Sequence, residues 1–146
     1  MTDYAQAYGL RALRIRYFNA AGSDPDCEIG EEHEPESHLI PNVLRAAAGR
    51  SSHVSIFGTD YPTPDGTAIR DYVHVCDLVA AHDLALSYLK IDGARFPAVN
   101  LGSGVGFSVR QVIQAAERVT NKKISTVLEK RRPGDPPSLV ANAQLA

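Results

Sequence analysis

Residues 54–78 read VSIFGTDYPTPDGTAIRDYVHVCDL. Val54 to Phe57 form a short β-rich run, and four turn formers follow in Pro62, Pro64, Asp65 and Gly66. A second β-rich run, IRDYVHV (69–75), leads into residues 77–89, where Leu78, Ala81, Ala85 and Leu89 recur at helical spacing. Strand, stiff loop, strand and helix within one stretch point to an α/β fold. The loop also raises a chemical question, because Arg70 and Asp71 stand directly behind it. Either it is a plain hairpin connection, or it holds a ligand for which the arginine waits.

Elements alternate on both sides of this stretch. TDYAQAY (2–8) reads as the last turns of an amphipathic helix closed by Gly9. LRALRIRYFN (10–19) alternates apolar residues with arginines, as a strand does, and an acidic Gly- and Pro-containing loop occupies 20–37. Residues 38–49 form a helix in which Ile40, Val43, Leu44 and Ala47 share a face, Pro41 sits in the first turn and Gly49 stops it. PAVNLG (97–102) is a strand. Ser108 and Gln111 make a capping box for a helix lined by Val109, Val112, Ile113, Ala116 and Val119, and KISTVLE (123–129) is a further strand. VANAQLA (140–146) has a helical pattern that stops early, so both ends read as cut elements.

The chain has 146 residues, 44% hydrophobic and 22% charged, which suits one soluble domain. Its formal charge of −2 provides no global field for nucleic acid or an anionic membrane, so an anionic ligand needs local arginines. Cys27 and Cys76 form no CxxC pair and read as reduced thiols, and no apolar run reaches membrane-spanning length. The expected location is the cytoplasm.

Most motifs reduce to structure. NLGSGVGFS (100–108) has the spacing G-x-G-x-G, not the dinucleotide fingerprint G-x-G-x-x-G, and reads as a strand-to-helix turn. The five histidines show no HExxH and no paired ligand spacing, so no metal site is expected. No G-x-S-x-G nucleophile context is present. Asp71 and His74 point to opposite faces of a strand, so Asp71 reads as orienting Arg70 or capping a turn and His74 as a partly buried polar residue. Arg70 behind one stiff loop and Arg131–Arg132 before another, PGDPP, could clamp a diphosphate through planar, charge-assisted forks. Solvated loop arginines are the other reading of the same spacing.

Taken in order, RIRYFNAAGSDPD (14–26), SHLIPNVLRAAAGR (37–50), the 54–78 run, VNLGSGVGFSV (99–109) and RRPGDPP (131–137) resemble the C-terminal half of the UDP-glucose 4-epimerase family, which are extended short-chain dehydrogenases/reductases. The resemblance covers nearly the whole chain, and the YPTPDGT loop is its most specific part. It implies the C-terminal part of a Rossmann-type NAD-binding fold (1–26) and a small mixed α/β substrate domain (27–146) with one or two returning Rossmann elements. It implies NAD-dependent oxidation and re-reduction at sugar C4, interconverting UDP-glucose and UDP-galactose, and homodimers among full-length members.

Residue by residue, the resemblance puts Tyr17 and Phe18 against the nicotinamide end of NAD and Asn19 on the substrate diphosphate. His38, which replaces an asparagine of relatives, and Leu39 lie at the uridine side. Ser55, Ile56 and Phe57 flank the uracil, and Arg70, Arg132 and Asp135 hold diphosphate and ribose. Leu139 replaces a tyrosine of some relatives, so no contact is carried over there. None of the six tyrosines is followed four residues later by lysine, so the family's catalytic Tyr-x-x-x-Lys is absent from this sequence, as is its G-x-x-G-x-x-G. The expectation is a fragment that supplies UDP-sugar binding, is inactive alone, and leaves strand edges and apolar helix faces uncovered. A fragment of a related decarboxylase or dehydratase, or a non-catalytic UDP-binding module, are the alternatives.

Overall fold

Helix and strand alternate along the chain as the hydrophobic pattern requires. The structure, a computed structural model, describes residues 2–91 and 98–146. In chain order its elements are α1 (Thr2–Tyr8), β1 (Arg14–Tyr17), β2 (Asn19–Ala21), α2 (Leu39–Ala47), β3 (Val54–Phe57) and β4 (Ile69–His74). There follow α3 (Val75–Tyr88), β5 (Ala98–Leu101), β6 (Gly106–Ser108), α4 (Val109–Thr120), β7 (Thr126–Glu129) and β8 (Ser138–Leu139). Four of the strand pairs are parallel and one, β4 with β6, is antiparallel. The class is α/β, as expected. The chain divides into two compact units, one of residues 1–30, 72–105 and 141–146, the other of residues 31–71 and 106–140.

The second unit builds its own core. Val43 and Ala47 of α2, Val54 and Ile56 of β3, Ile113 of α4 and Ile124 pack together, with Leu39, Ala46, Val109 and Ala116 against them. Helix α2 ends as its sequence requires: Gly49 takes a left-handed φ of 74°, and the Gly49 and Arg50 amides bond back to Ala46 and Arg45. At the start of α4, the Ser108 hydroxyl accepts from the Gln111 amide at 3.1 Å while Gln111 Oε1 accepts from the Ser108 amide at 2.8 Å. The capping box read from the sequence is present. Strand β3 pairs with β7, and the first half of β4 pairs with β6 and β8.

In the first unit, β1 pairs with β5, and β2 pairs with the second half of β4. The strand expected over 10–19 is therefore two short strands, because the chain changes partner at Phe18. The strand expected over 97–102 is Ala98–Leu101, with Pro97 outside the described residues. Helix α3 starts two residues earlier than expected because His74 caps it, its Nδ1 accepting from the Cys76 amide at 3.2 Å. His74 is exposed, not partly buried. Residues 140–146 form no helix; the Asn142 carbonyl accepts from the Asn100 side chain and Asn142 Oδ1 accepts from the Gln144 amide. Val119, expected on the packed face of α4, is exposed. In the first unit large apolar side chains stand open, among them Tyr4, Tyr8, Val79, Leu84 and Leu86.

Candidate functional site

The loop between β3 and β4 is held by its own polar residues. Asp65 Oδ1 accepts from the Thr67 amide at 2.9 Å and the Thr67 hydroxyl at 2.7 Å, and its other oxygen accepts from the Ser108 hydroxyl. Burial alone would raise the Asp65 pKa, but the hydrogen bonds from Ser108 and Thr67 outweigh it and hold the carboxyl below its ordinary value. Ser108 thus joins the loop to the cap of α4, and Thr67 is fully buried at that junction. Gly66, at φ 78°, closes the turn where any Cβ would collide with the Thr59 carbonyl. The loop is not a plain hairpin connection. It anchors β4 to the start of α4 and so fixes where Arg70 begins.

Arg70 and Asp135 meet because of strand register. Strand β8 pairs Ile69 with Ser138 and Arg70 with Leu139, and the Ile69 amide bonds to the Pro137 carbonyl. That register brings the RPGD turn beside β4, where the Asp135 amide bonds back to Arg132 and Gly134 takes φ 77°. The Arg70 guanidinium donates to Asp135 and, at 2.6 Å, to the Ile69 carbonyl. Its side chain is 13% exposed. The residue that orients Arg70 is therefore Asp135 and not Asp71, which is fully buried. Alternation along a strand puts neighbours on opposite faces, so Asp71 points away from the arginine.

Two further arginines border the same loop. Arg132 lies over the Phe57 ring, 4.0 Å from its centroid, at the end of β3, and no carboxylate pairs with it among the described residues. Arg131 lies 4.3 Å over Tyr61 and donates from Nε to Asp60 Oδ1 at 2.7 Å, which lowers the Asp60 pKa. Gly58 leaves room for this stack, since a Cβ there would fall 2.6 Å from the Tyr61 ring and 2.7 Å from Arg131. Of the three arginines, Arg70 and Arg131 each pair with an aspartate and Arg132 lies on a ring. Exposed cation–π contacts contribute only about 0.5–1 kcal/mol each, so they aim the guanidinium groups more than they stabilise the fold.

The remaining candidates fall in different settings. Within the same unit Ser55 and Phe57 are half-buried, but the Ile56 side chain is 2% exposed and belongs to the core, so it faces away from any ligand. Leu39 packs on that core from the first residue of α2, and His38 precedes it as the N-cap residue without a side-chain cap bond. Tyr17, Phe18 and Asn19 belong to the other unit: Tyr17 is exposed with its ring edge-on to His82 at 6.3 Å, Phe18 is half-buried and Asn19 exposed.

One cluster was not legible as a site in the histidine pattern. Glu31, His33 and His38 bring three donor atoms within 4.8 Å of one another. The signal was present as Glu-x-His followed by His38, although no standard ligand motif has that spacing.

Comparison with known proteins places the chain. Residues 1–102 match the model of the NAD dependent epimerase/dehydratase family. The UDP-glucose 4-epimerase of Halalkalibacterium halodurans is 52% identical over 141 residues, 97% of this chain and 42% of that protein. The crystal structure of UDP-glucose 4-epimerase from Brucella ovis in complex with NAD superposes with a TM-score of 0.92 at 52% identity, over 99% of this chain and 44% of that one. The enzyme from Bifidobacterium longum in complex with NAD⁺ and UDP superposes with a TM-score of 0.89 at 35% identity, over 97% of this chain and 42% of that one. The chain thus spans less than half the length of these relatives.

Proposed function

The chain belongs to the NAD dependent epimerase/dehydratase family, and from that premise we propose that it is the UDP-sugar-binding part of a UDP-glucose 4-epimerase. The observation that carries this reading is the Arg70–Asp135 pair, set by the β4–β8 register beside the Phe57–Arg132 stack. Arg70 offers a planar fork to the diphosphate, and Asp135 holds that fork and accepts from a ribose hydroxyl. Arg132 supplies a second, unpaired set of donors. The half-buried Phe57 and Ser55 border the uracil, His38 and Leu39 border the uridine, and Ile56 contributes through its backbone alone. Asn19, in the first unit, is read as a contact of the diphosphate.

NAD, when bound, supplies the hydride acceptor and donor for sugar C4. From this chain Tyr17 and Phe18 would line its nicotinamide end. The 146 residues contain no Tyr-x-x-x-Lys to move the C4 hydroxyl proton, so the chain by itself binds and does not epimerise. The unit holding residues 1–30 and 72–105 is read as Rossmann-type, and the other as the substrate domain. The exposed, unpaired Cys27 and Cys76 fit a reducing cytoplasm, and full-length members of the family are read as homodimers.

Calorimetric titration of UDP into the purified chain tests the proposal. Binding is expected, and Arg70→Ala should lose about 1.5–3 kcal/mol, a factor of roughly 10 to 150. Arg70→Lys should recover only part, because lysine cannot present the fork. No heat at millimolar UDP, or equal affinity in Arg70→Ala, would overturn the assignment.

A further inference from the structure

We propose that Glu31, His33 and His38 form a binding site for a divalent transition-metal ion, with zinc as the best fit. Oε1 of Glu31 lies 3.8 Å from His33 Nδ1 and 3.4 Å from His38 Nδ1. Ligand atoms about 2.0–2.1 Å from a tetrahedral ion stand roughly 3.3–3.4 Å apart; the two carboxylate–imidazole separations come near this and all three ligand atoms lie within 4.8 Å of one another, so rotation of the exposed side chains closes them around an ion. The two imidazoles already meet edge to face, 5.0 Å between centroids and 72° between planes, with both Nδ1 atoms turned to the same carboxylate.

The Glu36 Oε1 lies 2.9 Å from the same His38 Nδ1 and accepts from the His38 amide at 2.7 Å. Zinc therefore takes the place of the Nδ1 proton that bridges His38 to Glu36, and the Glu36 charge remains beside the ion. Glu31 and Glu36 together carry the two negative charges that a divalent ion neutralises. Two imidazoles and one carboxylate suit zinc, whereas calcium and magnesium require mostly oxygen ligands. The ligands are exposed and lie on the loop entering α2, so the ion's effect is to fix that loop and the position of His38, with a solvent molecule completing its shell. The proposal shares His38 with the nucleotide-sugar reading but does not rest on it, since its test reads zinc alone.

The test is zinc titration of the tag-free, chelator-treated full chain by calorimetry, with the histidine ring resonances followed by NMR. One ion per chain is expected, shifting the His33 and His38 resonances and leaving His53 unmoved. His33→Ala and Glu31→Gln should each weaken zinc binding by at least about tenfold, and His53→Ala should leave it unchanged. Magnesium should not compete. Absence of saturable binding to the unmodified chain, a shift centred on His53, equal affinity for magnesium, or a folded His33→Ala variant (by circular dichroism) that binds as before would each overturn the site.

Discussion

The two units solve the problem of burial differently. Residues 31–71 and 106–140 enclose a contiguous core between α2, α4 and β3, and every candidate nucleotide contact but three lies on its elements. Residues 1–30, 72–105 and 141–146 carry strands paired two by two, a β1 with three of four residues exposed, and an α3 whose apolar residues are spread round the helix among Asp77, His82 and Asp83, with Val79, Leu84 and Leu86 open. The second unit closes a core with its own side chains, while α1 and α3 of the first leave large apolar side chains open.

The largest test of that contrast is a pair of truncations. Ile56→Ala, in the closed core, should cost about 2–5 kcal/mol, whereas Leu84→Ala on α3 should change stability by no more than about 0.5 kcal/mol. Urea unfolding of both variants checks this, and similar costs would break the contrast. Next comes the loop. Gly66→Ala forces a Cβ into a left-handed turn against the Thr59 carbonyl and should destabilise by roughly 1–3 kcal/mol, whereas Gly30→Ala, where a Cβ meets nothing, should be near neutral.

The smallest effect is a pH dependence. The folded Asp65 pKa is depressed, so its contribution is complete above the unfolded value near 3.9 and is lost as pH falls through the folded value. Stability of the native chain should therefore fall more steeply below about pH 5 than that of Asp65→Asn. The difference should stay under about 1 kcal/mol because the group is part-exposed. Thermal melts at pH 7 and pH 3 measure it.

Local chemistry was legible in the sequence, and long-range register was not. Ser108 with Gln111, Pro41, Gly49 and the Asp65–Gly66 turn announced their structures because each acts on backbone within about four residues of itself. Strands β6 and β8, of three and two residues, have no period of their own and exist through pairing with β4. The same pairing joins Arg70 to Asp135 across 65 positions, and it explains why the adjacent Asp71 looked like the natural partner. His74 looked like a polar strand residue because a strand end and a helix cap share the same extended backbone. Ile56 shows the converse: the resemblance named it as a contact, and strand alternation turned its side chain into the core.

The central claim is that the second unit carries a UDP site at the Arg70 edge. Titrating UDP into the isotopically labelled chain and mapping amide shifts by NMR tests it most directly. Shifts concentrated at Phe57, Arg70, Arg132 and Asp135, with α3 unmoved, are predicted. An unperturbed Arg70 edge at saturating UDP, or shifts centred on α3, would contradict the account.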